Sequence, residues 1–539
     1  MNSKANQVTA MKSKAGHHRV VSNILFNSAG NIVSSLVGFL LAPVMVHTLG
    51  DAGYGIWVIA LQLGAYLGLM DLGIRVAVGR YLTHHYEKGE RDQVDLVITS
   101  AILILSVAGV LCVLAGSGLA LLLPRIMHIP AGMISVARWA VFLVSLVIGL
   151  SVPGSIFPGA VASLSRYDLL NLRTAGVAVV RGLAMWLALI EGGGIVGIAA
   201  VWVIVTLACL VLDYLIASRL YYGFHITSDW PAIRRCARTL FGFSAFAFLL
   251  SISSRLILWS DNLVIAIILG PAAVTAYAIG NNLVDVARNA LASVNAGFVP
   301  LATAYNAKGD VPALRRLLIQ GSRMGLVVIL PGVMAFFIIG GDFITLWMGA
   351  RYRQTAGAVL ILLGTTMLCA PLRSTCNQIL YGMNKHRRYG IMSAVEAFAN
   401  LGLSIVLAYK MGVIGVAWGT AIPALIVEGM FVPIYTAQLL QQSRVELYWQ
   451  TCVQPMLSTL PYCVLLFVLH RVGWVNRWSH FFVAIAMAVA VYAVIVWFWT
   501  FSSSERDMVR SKLRMKPERA RELAPAMRVY QSGSHTGPR

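Results

Sequence analysis

The stretch from Ser251 to Asn295 places Arg255, Asp261, Asp285 and Arg288 inside two apolar, helix-long segments joined by Leu269-Gly270-Pro271. Asn281, Asp285, Arg288, Asn289 and Asn295 recur at helical three- and four-residue steps, and Ser251, Arg255 and Asn262 belong to a similar stripe in the preceding segment. Each segment therefore has one polar and one apolar face. Guanidinium groups are planar, forked donors for anions, carboxylates take up a proton or a cation, and amides bind neutral polar groups. This is an inventory for recognition rather than for making or breaking bonds, and no catalytic residue is expected in it. A charge near a bilayer midplane costs several kcal/mol, roughly 3 by insertion scales, unless it faces protein or water. Two adjacent polar stripes thus argue for a shared aqueous cavity.

Similar groups occur near the start of the chain. Asn23, Asn27 and Asn31 form an i, i+4, i+8 ladder, and Asp71 and Arg75 form an i, i+4 pair. Arg181 and Arg373 are further intramembrane arginines, and Glu396 and Glu428 further intramembrane carboxylates. The seven cysteines show no CxxC or Cys/His spacing, so they read as small core residues and no metal is expected. No Gly-x-x-x-x-Gly-Lys-Ser/Thr motif is present, which argues against ATP hydrolysis, and no cofactor is expected.

The elements that must hold these groups are membrane helices. The 539 residues are 58% hydrophobic and only 12% charged, with mean hydropathy +0.76, and apolar runs repeatedly reach the ~20 residues that a span needs. The fold class is all-α, a polytopic membrane protein with about fourteen transmembrane helices. The first apolar run, Ile24 to Leu49, is too long for a signal-peptide core and is read as a span. A formal charge of +21 would suggest nucleic acid in a soluble protein. Here about 30 of the basic residues fall in alternate loops and the two tails, which places both termini in the cytoplasm and gives no reason to expect a nucleic-acid partner. The expected organisation is a basic N-terminus (1–22), an N-terminal six-helix bundle (23–217), a cytoplasmic linker (218–238), a C-terminal six-helix bundle (239–437), two additional spans (438–500) and a basic tail (501–539). That tail is read as resting on anionic membrane lipids.

The two bundles read as one duplicated unit. Leu49-Gly50 recurs as Leu269-Gly270 and Lys88-Gly89 as Lys308-Gly309, both at an offset of 220 residues. Gly194-Ile195-Val196-Gly197-Ile198-Ala199 recurs as Gly412-Val413-Ile414-Gly415-Val416-Ala417 at an offset of 218. Six spans per unit make a parallel repeat, an arrangement typical of alternating-access transporters whose site lies between the halves.

At these residues the chain resembles a known group. The Asn-rich first span, the turn Leu49 to Gly55 (Leu-Gly-Asp-Ala-Gly-Tyr-Gly), the segment Gly68 to Ile74 (Gly-Leu-Met-Asp-Leu-Gly-Ile) and the Lys88-Gly89 loop together resemble bacterial oligosaccharide flippases. These form the polysaccharide transporter branch of the multidrug/oligosaccharidyl-lipid/polysaccharide (MOP) superfamily. The resemblance covers about residues 20–437 and implies two six-helix bundles in a V, with spans one, two, seven and eight lining a central cavity. It also implies the cargo, undecaprenyl-pyrophosphate-linked oligosaccharide for O-antigen, capsule or exopolysaccharide. Glycosyltransferases and a polysaccharide polymerase would act beside it.

For that cargo the expected binding residues are Arg255, Arg288 and Arg75 for the pyrophosphate, with Asn27, Asn31, Asn281 and Asn289 for sugar. Asp261, Asp285, Glu396 and Glu428 are the candidates for ion coupling. Each has a plainer reading: Asp71–Arg75 and Asp285–Arg288 as self-neutralising pairs, the Asn ladder as interhelical glue, Arg181 and Arg373 as partnered structural residues. Two other functions stay open. A multidrug/cation antiporter of the same superfamily would favour acidic cavity groups, and a membrane polysaccharide polymerase or ligase would call for a sizeable outer loop.

Overall fold

The computed structural model describes residues 2–71, 73–164, 166–221, 223–295, 297–500 and 506, with side chains described for all of these except 2–29, 31, 32, 76, 242–259, 293, 294 and 386. Every regular element among the described residues is helical. Ten stretches are long and apolar enough to cross a membrane. Two of them contain a reversal of the chain, at Gly50 and at Gly412, where glycine takes a non-helical conformation inside what is otherwise one helix. Adding helices Trp230–Ile268 and Pro271–Asn295, which fall outside those ten, gives about the fourteen spans that the apolar runs imply.

The reversals follow from close glycine contacts. Before Gly50 the chain runs alongside helix Tyr167–Ile190, with Gly30 at Asn171 and Val37 at Gly182; after it, Gly53 meets Met133 and Gly64 meets Val144 of helix Ile134–Gly154. Beyond Gly412 the backbone folds straight back, so that Gly415 packs on Leu407 and Gly419 on Ser404. Only a residue without a Cβ lets two helices approach so closely.

The duplication is written into the backbone. Left-handed φ values occur at Gly50 (69°) and Gly270 (89°), at Gly89 (72°) and Gly309 (67°), and at Gly194 (56°) and Gly412 (62°). The two Lys-Gly hairpins match bond for bond: Gly89 N to Tyr86 O and Gly309 N to Asn306 O are both 3.0 Å, as are Glu90 N to His85 O and Asp310 N to Tyr305 O.

Helices break where the apolar pattern alone did not mark an end. The second span stops at the short 3-10 turn Gly68–Asp71, because the Asp71 carboxylate accepts from Gly73 N at 3.0 Å and Gly73 is left-handed. The eighth likewise ends at Asn295 and resumes at Phe298.

Two of the prolines inside the spans are answered by donors from other helices. Pro43 leaves the Phe39 carbonyl without its helical N–H, and Trp347 Nε1 donates to it at 3.3 Å. Pro331 does the same to Val327 O, which receives the Tyr492 hydroxyl at 3.0 Å. The last two spans thus pack on helix Val311–Met348 through a cluster around Tyr462, Leu466, Phe481 and Tyr492.

Candidate functional site

The two halves meet closely at the end marked by Gly50, Gly270 and Gly349. Gly55 lies against the Pro271 carbonyl so tightly that an added Cβ would sit 1.8 Å from that oxygen. Thr275 Oγ1 donates to Asp51 O at 2.7 Å, Arg351 bonds the Asp51 carboxylate at 2.9 Å, and the Tyr352 hydroxyl donates to the same carboxylate. Phe39 stacks on Trp347 with centroids 4.3 Å apart, adding a fifth cross-half contact.

A cavity of about 410 Å³ lies between the halves, walled by Ser34 to Gln62 of the first two spans, by Arg181 and Trp202, and by Asn262 and Ala278 to Asn289 of the other half. Trp57 and Trp202 pack at 5.8 Å, and the Arg181 guanidinium rests over the Trp202 ring at 5.4 Å. Asn282 Nδ2 donates to the Tyr54 hydroxyl at 3.3 Å across the interface.

The expected site residues divide among several places. Asn281, Asn289 and Asp285 line the cavity. Arg288 does not; its guanidinium is held by Asp285 at 2.5 Å and by Asn281 at 3.3 Å. Of the two readings for that pair, the self-neutralising one describes the geometry. Arg75 stands half out of the fold, beyond the break at Gly73, 3.5 Å from Asp71. It is not brought to the cavity. The side chains of Asn27, Asn31 and Arg255 lie outside the described residues. Arg373 is partnered, bonding Glu428 at 2.9 Å.

Asp261 is buried behind the cavity wall, next to the lining residue Asn262. Its carboxylate accepts from the Tyr277 hydroxyl at 2.5 Å, Thr420 Oγ1 at 2.6 Å and Ser404 Oγ at 3.5 Å. All of these are oxygen donors, a set that suits a proton or a hard monovalent cation better than a soft metal. Glu396 and Glu428 sit together elsewhere in the same bundle.

On the sequence Arg181 reads as a partnered structural residue, because its helix, Tyr167–Ile190, carries no polar stripe. Yet among the described charged residues of the cavity lining, Arg181 has no carboxylate bonded to it, whereas Asp285 is already bonded to Arg288. The aromatic walls Trp57 and Trp202 were also missed, since a tryptophan in an apolar run looks like core. A signal existed for Arg181: no acidic residue lies within four positions of it on its own span.

Residues 20–305 match the family described as "Polysaccharide biosynthesis protein". Among curated relatives, the "Uncharacterized membrane protein EpsK" of Bacillus subtilis (strain 168) is 20% identical over 91% of this chain and 97% of its own length. The "Putative O-antigen transporter" of Shigella flexneri is 20% identical over 74% and 93%. Among solved structures, one titled "Lipid II flippase MurJ, inward closed conformation" aligns with TM-score 0.64 at 13% identity, covering 88% of this chain and 98% of that one. An inward-facing multidrug resistance MATE family transporter of the MOP superfamily aligns with TM-score 0.62 at 14% identity, covering 76% and 94%. With a family match across more than half of its length, this multi-pass membrane protein, folded like the transporters of the MOP superfamily, belongs to the polysaccharide biosynthesis protein family.

Proposed function

We propose that the protein flips undecaprenyl-pyrophosphate-linked oligosaccharide from the cytoplasmic to the outer leaflet of the bacterial inner membrane by alternating access. It serves O-antigen, capsule or exopolysaccharide assembly, downstream of glycosyltransferases and upstream of a polymerase. The observation that carries this reading is the charge of the cavity: its lining carboxylate, Asp285, is already bonded to Arg288, while among the described residues no carboxylate is bonded to Arg181. The balance suits a pyrophosphate. Trp57 and Trp202 line the wall with aromatic edges beside Arg181, and Gln62, Asn281, Asn282 and Asn289 offer amides for hydroxyls. The role is carriage, with no bond made or broken.

The antiporter reading is disfavoured by the same balance, since a cationic drug would meet Arg181 without a free counter-ion. Asp261 is the best-placed group for coupling to H⁺ or Na⁺, being buried beside the cavity wall among oxygen donors. In this reading the basic loops and both termini face the cytoplasm, and the end latched by Asp51 faces outward.

Deleting the gene from a polysaccharide-producing cell tests the proposal. Lipid-linked glycan should accumulate in the cytoplasmic leaflet with upstream assembly intact. Glycan already translocated but unpolymerised would instead identify a polymerase.

A further inference from the structure

The C-terminal bundle holds a second set of buried polar groups that the cavity does not use. Glu396, Asn400 and Ser404 follow one another at four-residue steps on helix His386–Ile426 and are 3%, 1% and 0% exposed. At 1.5 Å per residue the row spans roughly 12 Å. At its upper end Ser404 and Thr420 donate to Asp261. In the middle Asn400 Nδ2 donates to Thr420 Oγ1 at 3.0 Å, and Ser260 Oγ donates to Asn400 Oδ1 at 3.5 Å. At the lower end Glu396 faces Glu428 and Arg373, and Arg373 also donates to the Tyr389 hydroxyl.

Charge counting at that lower end is decisive. Two carboxyl groups share one guanidinium, and of the three Glu396 is the buried one, so the fully ionised cluster leaves a negative charge on a side chain shielded from water, and a buried unpaired charge costs several kcal/mol. One proton on one carboxyl removes it. The cluster also sits at weak points of the helices. Glu428 lies in the π-turn Val427–Phe431, a few residues after Pro423, and Arg373 follows Pro371 by two residues. Interrupted hydrogen-bond ladders of this kind let a helix bend. The Tyr448 hydroxyl, at 2.6 Å, holds the Gly429 carbonyl inside the same turn.

We propose that Glu396, with Glu428 and Arg373, forms a proton-binding site distinct from Asp261, and that the Asn400–Thr420 hydrogen bonds link the two. With the proton present, Glu396 is neutral and Arg373 belongs to Glu428 alone. When the proton leaves, Arg373 is shared between two carboxylates on different helices, which draws the Pro371 segment toward helix His386–Ile426 and loosens its hold on the Val427–Phe431 turn. The change reaches Asp261 through Asn400 and Thr420, and from there the cavity wall at Asn262. The charged and titratable groups facing the site are Arg373, Glu428, Tyr389 and Cys369. Those facing Asp261 are Tyr277, Tyr66 and Arg288. The consequence for transport rests on the flippase reading; the proton site itself does not.

The test uses the full-length protein in lipid vesicles and infrared difference spectra recorded across an alkaline pH jump. The parent should lose a protonated-carboxyl C=O band that shifts in D₂O. Glu396→Gln should lose the Glu396 part of that band while its thermal unfolding stays close to the parent's, because the Arg373–Glu428 pair is left neutral. Arg373→Gln should enlarge the band, since both carboxyls are then held neutral, and Asp261→Asn should keep the Glu396 part of it. A parent with no such band, or Glu396→Gln with the band undiminished, overturns the site. In a vesicle translocation assay, Glu396→Gln should no longer follow an imposed pH gradient, and a response equal to the parent's overturns the link to Asp261. A parent that moves no glycan counts against the flippase reading and leaves the infrared result standing.

Discussion

Gly55→Ala tests whether the cavity is shut on one side by backbone contact between the halves. The added Cβ would lie 1.8 Å from the Pro271 carbonyl oxygen, a backbone atom that no rotamer change can move. Real Cβ contacts stay beyond 3.0 Å, so the two helices must part by more than an ångström. Overpacking of this kind costs about 1–3 kcal/mol, which lowers the population closed at this end by roughly five- to 150-fold. Separation there also breaks the Asp51–Arg351 and Asp51–Tyr352 contacts and leaves Phe39 O without the Trp347 donor. Spin labels at exposed His47 and Ala350, one on each half, would report the change by pulsed electron resonance. Gly55→Ala should lengthen the distance distribution and slow export. Gly79→Ala, whose Cβ meets nothing within 4 Å, should leave both alone. A Gly55→Ala distribution that overlays the parent's would refute the reasoning.

Other consequences are simpler to state. Arg181→Ala should weaken cargo binding by about 10- to 150-fold, the worth of a hydrogen bond to a charged group at 1.5–3 kcal/mol, with membrane abundance unchanged; Arg181→Lys should recover part of it. Export measured against glycan accumulation in the inner leaflet reads this directly. Tyr492→Phe removes the donor to the carbonyl that Pro331 orphans, and should cost about 1–3 kcal/mol, read as a lower melting temperature in detergent. Gly109→Val drives a side chain into the Gly149 carbonyl, 2.3 Å from an added Cβ, and should lower the yield of folded protein more than Gly118→Val, where nothing lies within 4 Å. Asp261→Asn should abolish any dependence of export on an imposed ion gradient, which a vesicle assay with and without the gradient would detect.

Much of the architecture was legible in the residues. Spans followed from apolar runs of membrane length, and the duplication from Leu-Gly and Lys-Gly pairs, because the same left-handed turns are needed at equivalent places in each half. What the sequence hid was partnership. Asp285 and Arg288 promised two cavity charges, but at i, i+3 on one helix they bond each other, and periodicity cannot say whether a stripe is spent internally or offered to a ligand. Arg181 was undervalued for the converse reason, since its freedom from a carboxylate depends on helices distant in sequence. The row Glu396, Asn400, Ser404 was visible at four-residue steps, yet its meaning came only when Asp261, Thr420 and Glu428 from other helices closed around it. Breaks at Gly73 and after Asn295 were obscured because hydropathy continues through them while the backbone does not.

The central claim, that an undecaprenyl-pyrophosphate-linked glycan crosses the bilayer through the cavity walled by Arg181, Trp57 and Trp202, is tested most directly with purified protein in vesicles. Lipid-linked glycan is loaded in the inner leaflet, and its arrival outside is followed with a glycan-cleaving enzyme that cannot enter. The account predicts time-dependent arrival with the parent protein and little above empty vesicles with Arg181→Ala. Arrival at the parent's rate with Arg181→Ala, or none with the parent, would contradict it.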